Sequence, residues 1–279
     1  MQRPSSPHAC ALTIAGSDSG GGAGIQADLK TFHAFGVHGL SAITALTAQN
    51  TRAVTAVHTT PPAMIAAQLD ALFDDFPIGA AKTGMLGDAK TIRAVVRALS
   101  RRDLPALVVD PVMISTSGAA LLDPCAVDAL RELLLPRAAL VTPNLPEAQA
   151  LTGRTIRRAA DGDRVAADLL DAGAAAVLIK GGHRGGRTVV DRLYANGEEF
   201  TFEHPRLPRN GHGTGCTLAA AVTAGLVRGL DLVAACDTAI RYVHTALAGA
   251  FRPGRSKIDV LDHAAKPRFP ASRRASGND

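Results

Sequence analysis

The sequence predicts an α/β fold, a three-layer α/β/α domain on a mostly parallel central sheet with an edge β-hairpin, on three observations. Short apolar stretches of strand length alternate with amphipathic stretches of helix length. Several of the strand candidates end in glycine or in a polar residue, as the strands of βαβ units do at their ligand-facing ends. No low-complexity linker, internal repeat or change of composition divides the 279 residues before a basic C-terminal end.

In order, Ala11-Leu12-Thr13-Ile14-Ala15-Gly16 reads as a buried strand, and residues 24–35 carry Ile25, Leu29, Phe32 and Phe35 at helical spacing. Residues 37–49, rich in small and β-branched types, hold the next strand. Pro61-Pro62 opens a helix whose Ile65, Leu69, Leu72 and Phe76 share one face. Residues 78–82 form a strand candidate and 88–100 a helix. Ala106-Leu107-Val108-Val109-Asp110 is a strand ending in an acid, and Asp123-Pro124 supplies an N-cap and an N1 proline to a helix carrying Val127, Leu130 and Leu134. A strand over 139–142 ends at Pro143-Asn144, and a helix over 163–171 leads to the strand Ala176-Val177-Leu178-Ile179-Lys180. Residues 188–194 and 198–202, joined by Asn196-Gly197, form the hairpin. Helices over 215–228 and 231–249 close the fold. Residues 1–10 are an N-terminal extension, 11–262 one domain, and 263–279 a disordered basic tail.

Composition excludes several function classes. The formal net charge is +5, but residues 252–279 hold seven Lys/Arg against three Asp, so the remainder is nearly neutral. With 4% aromatic residues there is no stacking platform for single strands, so no nucleic-acid partner is expected. No apolar run approaches the roughly 20 residues of a membrane span, and the N-terminus lacks a secretory h-region, which makes the cytoplasm the expected compartment. Four cysteines without CxxC spacing argue against disulfides or a zinc site, and nine scattered histidines form no metal-ligand cluster. Cys10, Cys125 and Cys236 read as packing residues.

Chemistry is expected beyond the strand ends Gly16, Gln49, Asp110, Asn144 and Lys180, which should converge on one site. Gly213-Thr214-Gly215-Cys216 runs into an apolar helix, so unpartnered amides and the helix dipole make an anion site beside a cysteine whose thiolate the dipole would stabilise. The same residues would also serve an ordinary glycine-rich loop entering a core helix. The first glycine cluster, residues 16–28, lacks the Gly-Lys-Ser/Thr of a phosphate loop. Its Gly22-x-Gly24-x-x-Ala27 fits a dinucleotide fingerprint only loosely, because no acid occurs between Asp28 and Asp70. It reads better as the wall of a small-molecule pocket, with Asp28 or Asp18 turned toward the ligand. Asp110 and the pair Asn144 and Glu147 are either helix-capping groups or, together, oxygen donors for Mg²⁺. Lys180-Gly181-Gly182-His183 is either a solvated strand end or a phosphate contact.

Taken as one ordered set, residues 16–28, Gln49, Lys82-Thr83-Gly84-Met85-Leu86, Asp110-Pro111-Val112-Met113, Thr142-Pro143-Asn144-Leu145-Pro146-Glu147-Ala148, Lys180-Gly181-Gly182-His183 and residues 211–217 closely resemble the hydroxymethylpyrimidine/phosphomethylpyrimidine kinases of the ribokinase-like superfamily. The resemblance covers about residues 10–250. It implies an ATP- and Mg²⁺-dependent kinase of thiamine biosynthesis, homodimeric, that phosphorylates 4-amino-5-hydroxymethyl-2-methylpyrimidine and then its monophosphate. Carried over, it puts Gln49 on the pyrimidine with Gly16, Asp28, Met85 and Val112 around it. Asp110, Asn144 and Glu147 fall at the Mg²⁺-phosphate end, with Asp110 and Glu147 as metal ligands, and Lys180 near the ATP phosphates. Gly213, Thr214, Gly215 and Cys216 form the anion hole. Cys216 stands where sugar kinases of the superfamily carry an aspartate, and it is either the acceptor of the hydroxymethyl proton or a positioning residue. The alternatives are a pyridoxal kinase of the same fold and a non-catalytic ligand-binding relative.

Overall fold

In a computed structural model, which describes residues 10–115, 118–156, 159–183 and 185–270, nine strands make one sheet. They are β1 (Cys10–Asp18), β2 (His38–Gln49), β3 (Val54–Thr59), β4 (Ile78–Thr83), β5 (Leu107–Val109), β6 (Leu140–Val141), β7 (Ala176–Ile179), β8 (Thr188–Ala195) and β9 (Glu198–Pro205). Their order is β3-β2-β1-β4-β5-β6-β7-β8-β9. The six central strands run parallel, β3 pairs antiparallel with β2 at one edge, and the β8–β9 hairpin closes the other. Asn196 (φ 54°) and Gly197 (φ 77°) both take the left-handed conformation that a two-residue hairpin turn requires.

Side-chain alternation divides the sheet between two cores. Leu12, Ile14, Val109, Val141 and Val177 face one, together with α2 (Pro62–Asp75), α3 (Ala89–Leu99), α5 (Leu145–Thr152) and α6 (Ala159–Asp171). Ala11, Val108, Leu140 and Leu178 face the other, with α1 (Gly24–Ala34), α7 (Thr214–Val227) and α8 (Leu232–Ala248). Leu218, Ala219, Ala220, Ala221 and Val222 are buried all round α7, and the small side chains let that helix lie between the sheet, α1 and α8.

The helix expected after Asp123-Pro124 is irregular. It runs as a 3₁₀ turn (Pro124–Ala126), the single α turn α4 (Val127–Ala129), a π turn (Leu130–Leu134) and a 3₁₀ turn (Leu135–Arg137). Pro136 has no N–H to continue a regular ladder. Helix α5, strand β3 and a two-stranded parallel sheet of β10 (Gly211–His212) with β11 (Asp259–Val260) add to the expected elements.

The disordered tail expected from residue 263 does not hold over 263–270. His263 is buried and its Nε2 lies 3.0 Å from Thr217 Oγ1, while the Tyr242 hydroxyl donates to His263 O at 3.1 Å. The Phe269 ring meets Phe35 edge-on at 5.7 Å, with the Arg228 guanidinium 4.3 Å from its centroid. These apolar and cation–π contacts outweigh the local charge that marked the segment as solvated. The remainder of that tail and residues 1–9 lie outside the described residues.

Candidate active site

A cleft of about 710 Å³ opens beyond the carboxyl ends of the parallel strands, where the first turn of α7 meets the sheet. The structure brings Gly16, Gln49, Met85, Asp110, Val112, Asn144, Glu147, Lys180, Gly213, Thr214, Gly215 and Cys216 together on its wall. Asp28 alone of the expected residues is absent from it.

At one end Gly16, Met85 and Val112 offer apolar surface, and Gln49 a half-buried amide. A Cβ on Gly16 would sit 3.0 Å from the Met85 sulfur, so the glycine is what admits that side chain. Asp18 shapes the loop beside them. Its carboxylate accepts from the amides of Gly20 (2.8 Å), Gly22 (3.0 Å) and Ala23 (2.8 Å) and from His212 Nε2 (3.1 Å). Burial works against this charge, but His212 and the loop amides outweigh it and hold the carboxyl below its usual range. Asp18 thus spends both oxygens on the protein rather than turning them to a ligand.

At the other end α7 starts after Gly213 in the left-handed conformation (φ 80°), where a Cβ would collide with Gly22 O. Residues 213–216 line the cleft, and the first-turn amides of a helix have no partner within the helix. Facing them, Lys180 Nζ lies 3.1 Å from Asp110 Oδ1 and 3.7 Å from Glu147 Oε2. Gly215 makes room for this group, since a Cβ there would lie 3.2 Å from Lys180 Nζ and 3.6 Å from Asp110 Oδ2. Asn144 and Glu147 start α5 as a capping box, with bonds of 2.9 Å to Asn144 Oδ1 and 2.8 Å to Glu147 Oε2. Burial pushes the Glu147 carboxyl up to about 7, with Lys180 pulling down and Asp110 pushing up. Burial would lower Lys180, but Asp110 and Glu147 overcome it and keep the ammonium charged. One cation thus faces two carboxylates, and Asp110 Oδ2 is buried without a hydrogen-bond partner. Among the described residues no group of three His, Cys, Asp or Glu forms a self-sufficient metal site. The donor set suits a hard cation that completes its shell with phosphate and water.

Asp28 lies under the floor. It is fully buried on α1, paired with Lys82 Nζ at 3.0 Å and accepting from Thr13 Oγ1 at 2.6 Å. Its expected contact with a ligand is therefore corrected, because a fully buried lysine on β4 claims the carboxylate. Burial opposes the Lys82 charge, and Asp28 more than restores it.

At Cys216, half-buried on the cleft wall, the surroundings oppose the thiolate that the helix start suggests. Burial pushes its thiol up to about 12, and the positive Lys82 and the Gly24 amide recover only part of that. Lys82 and His212 were not among the expected site residues, although a lysine inside an apolar strand is itself a sign of a buried partner.

A family model described as phosphomethylpyrimidine kinase matches residues 18–261. The hydroxymethylpyrimidine/phosphomethylpyrimidine kinase of Rhizobium meliloti is 52% identical over 251 residues, covering 88% of this chain and 92% of that protein. A phosphomethylpyrimidine kinase structure from Clostridium difficile is 43% identical at TM-score 0.76, covering 85% of this chain and 98% of that one. The Staphylococcus aureus pyridoxal kinase in complex with AMP-PCP and pyridoxal is 32% identical at TM-score 0.86, covering 94% and 97%. Of these two structures, identity favours the first and backbone superposition the second, so substrate preference has to be argued from site residues.

Proposed function

Because this chain belongs to the phosphomethylpyrimidine kinase family, we propose that it transfers the γ-phosphoryl group of ATP to the hydroxymethyl oxygen of 4-amino-5-hydroxymethyl-2-methylpyrimidine, and then to the resulting monophosphate. That places it in thiamine biosynthesis. The observation that carries the reading is the opposition, across one cleft, of an amide-bearing apolar end and a cluster of Lys180, Asp110 and Glu147 against the start of α7.

Gln49 pairs with the aminopyrimidine edge, since a primary amide both donates and accepts, while Gly16, Met85 and Val112 enclose the ring. Lys180 neutralises the ATP phosphates, and Asn144 holds Glu147 in place through the capping box. Asp110 and Glu147 are the residues that would hold Mg²⁺, and the unpartnered Asp110 Oδ2 fits that ion. Bound there, Mg²⁺ would neutralise charge on the phosphates. The amides of residues 213–216 gather charge that develops on the transferring group. Cys216, a thiol rather than a thiolate in this site, serves to orient the acceptor hydroxyl.

Leu46 and Val57 on the β2–β3 arm, with Met64 on α2, are exposed and suit a homodimer contact. Among the described residues all four cysteines are free, in keeping with a cytoplasmic enzyme, and no helix is long and apolar enough to cross a membrane. The test is coupled ATP turnover with Mg²⁺ and hydroxymethylpyrimidine, then its monophosphate, beside pyridoxal. Turnover of both pyrimidine species is expected. A higher kcat/KM for pyridoxal, or no turnover of either pyrimidine, would overturn the substrate assignment.

A further inference from the structure

Gln49 is held more firmly than a half-buried side chain needs to be. Its backbone exchanges two hydrogen bonds with Ser19, the hydroxyl donating to Gln49 O and accepting from Gln49 N, both at 2.8 Å. Its amide lies between two further groups, with Nε2 3.3 Å from His212 Nε2 and Oε1 3.1 Å from Thr47 Oγ1. The His212 ring is buried and packed against Gly22, where a Cβ would lie 2.6 Å from its Cδ2.

The hydrogens available to these groups decide the orientation of the amide. The Asp18 carboxylate only accepts, so the hydrogen between it and His212, 3.1 Å apart, sits on Nε2. That nitrogen is then a donor, and the Gln49 NH₂ group facing it would set donor against donor. Thr47 has one hydroxyl hydrogen, and Ser17 O takes it at 2.8 Å, leaving Thr47 Oγ1 as an acceptor. A half-turn of the amide, at no change in heavy-atom positions, gives Thr47 Oγ1 a hydrogen from the amide nitrogen and sets the amide oxygen beside the Nε2–H, whose one hydrogen it shares with Asp18 as a second acceptor.

We propose that Asp18, acting through His212, and Thr47 lock the Gln49 amide with its oxygen toward His212 and its nitrogen toward Thr47, making His212 the residue that determines which ring edge the site accepts. This rests on the reading of Gln49 as the group that meets the ring. One lone pair and one N–H of the amide remain for the cleft, in a fixed order. A ring with an amino group beside a ring nitrogen supplies the matching donor and acceptor along one edge, whereas a pyridine bearing a phenolic hydroxyl and an aldehyde carries its donor and acceptor on two substituents, farther out from the ring. His212 is thus a positioning residue for specificity, one step removed from the substrate.

The test is a double-mutant cycle between His212→Phe and Gln49→Leu, with His212→Gln as the variant that restores a donor. Kd for hydroxymethylpyrimidine and for ATP is read by calorimetry, and kcat and KM in turnover. His212→Phe should weaken aminopyrimidine binding about tenfold, the size of one well-placed hydrogen bond, with ATP affinity unchanged and the loss in KM rather than kcat. His212→Gln should recover most of it, and His212→Phe should cost nothing further beside Gln49→Leu. Independent, multiplying effects, a loss confined to kcat, or no recovery in His212→Gln would each overturn the proposal. Should His212→Phe fail to fold, the cycle run with His212→Asn decides it by the same criteria. Wild-type protein that binds the pyrimidine without turnover overturns the functional reading alone, and wild-type protein that does not bind it overturns both.

Discussion

Replacing Lys82 with methionine isolates the charge beneath the cleft. Both members of the Lys82–Asp28 pair are fully buried, and their 3.0 Å bond is supplemented only by the Thr13 hydroxyl, leaving Asp28 Oδ1 without a partner. Lys82→Met therefore strands a carboxylate in the interior, which typically costs about 3–5 kcal/mol. For a chain of this size that corresponds to a fall in Tm of roughly 6–20 °C. Replacing both residues, Lys82→Met with Asp28→Leu, removes the stranded charge and should restore most of the stability, since apolar replacement of a buried pair is often neutral. The assay is urea unfolding followed by circular dichroism, with calorimetric melting alongside. If Lys82→Met unfolds at the wild-type midpoint, or the double variant is no more stable than the single one, the pair is not the buried electrostatic unit described above.

Three further outcomes are expected. Gly213→Ala forces a side chain into a left-handed position against Gly22 O, and with the anion-binding amides displaced kcat should fall by about 10²–10³, measured by ADP release. Wild-type rates in that variant would remove residues 213–216 from phosphoryl transfer. Iodoacetamide at pH 7.5 should label exposed Cys125 readily and Cys216 slowly, with the rate at Cys216 still climbing past pH 9, because burial holds its thiol up near 12. Rapid labelling of Cys216 at neutral pH, read by peptide mass spectrometry, would contradict that. Glu147, raised by burial to about 7 from an ordinary value near 4.5, favours the folded state when protonated. Its contribution is complete below about pH 4.5 and is lost as pH rises through 7. In magnesium-free buffer Glu147→Gln should thus gain stability over wild type at pH 8 and gain little at pH 4.5; equal differences at the two values would refute the shift.

What the chain discloses locally and what it conceals divide along physical lines. The apolar runs at Val108-Val109 and Val177-Leu178-Ile179 mark buried strands because both their faces are covered, and Asn196-Gly197 marks its turn because both residues must take positive φ. Strand β3 escaped notice because its residues are exposed or half-exposed and show no apolar alternation. Helix α5 carries its own signal, Asn144 followed three residues later by Glu147, but at eight residues it is too short for a period to show. The strand-end residues converged as the βαβ pattern implied. Asp28 was misread because its chemistry is set by depth and by a lysine distant in sequence, which a glycine loop does not convey. At Cys216 burial opposes the thiolate that the helix start suggests, and the same Lys82 offsets it only in part. Phe269 is a similar case, since its partners Phe35 and Arg228 lie far upstream.

The pairing of β10 with β11 joins residues 211 and 212 to 259 and 260, and His263 braces Thr217 next to Cys216. Gly16, Gln49, Met85 and Val112, which meet the ring, all come from the first 112 residues, and the charged cluster of Asp110, Glu147 and Lys180 from the middle, whereas the amides of residues 213–216 and their brace come from the last third. Loss of residues beyond 258 would therefore spare every residue assigned to the ring while removing the strand and the histidine that hold residues 211–217.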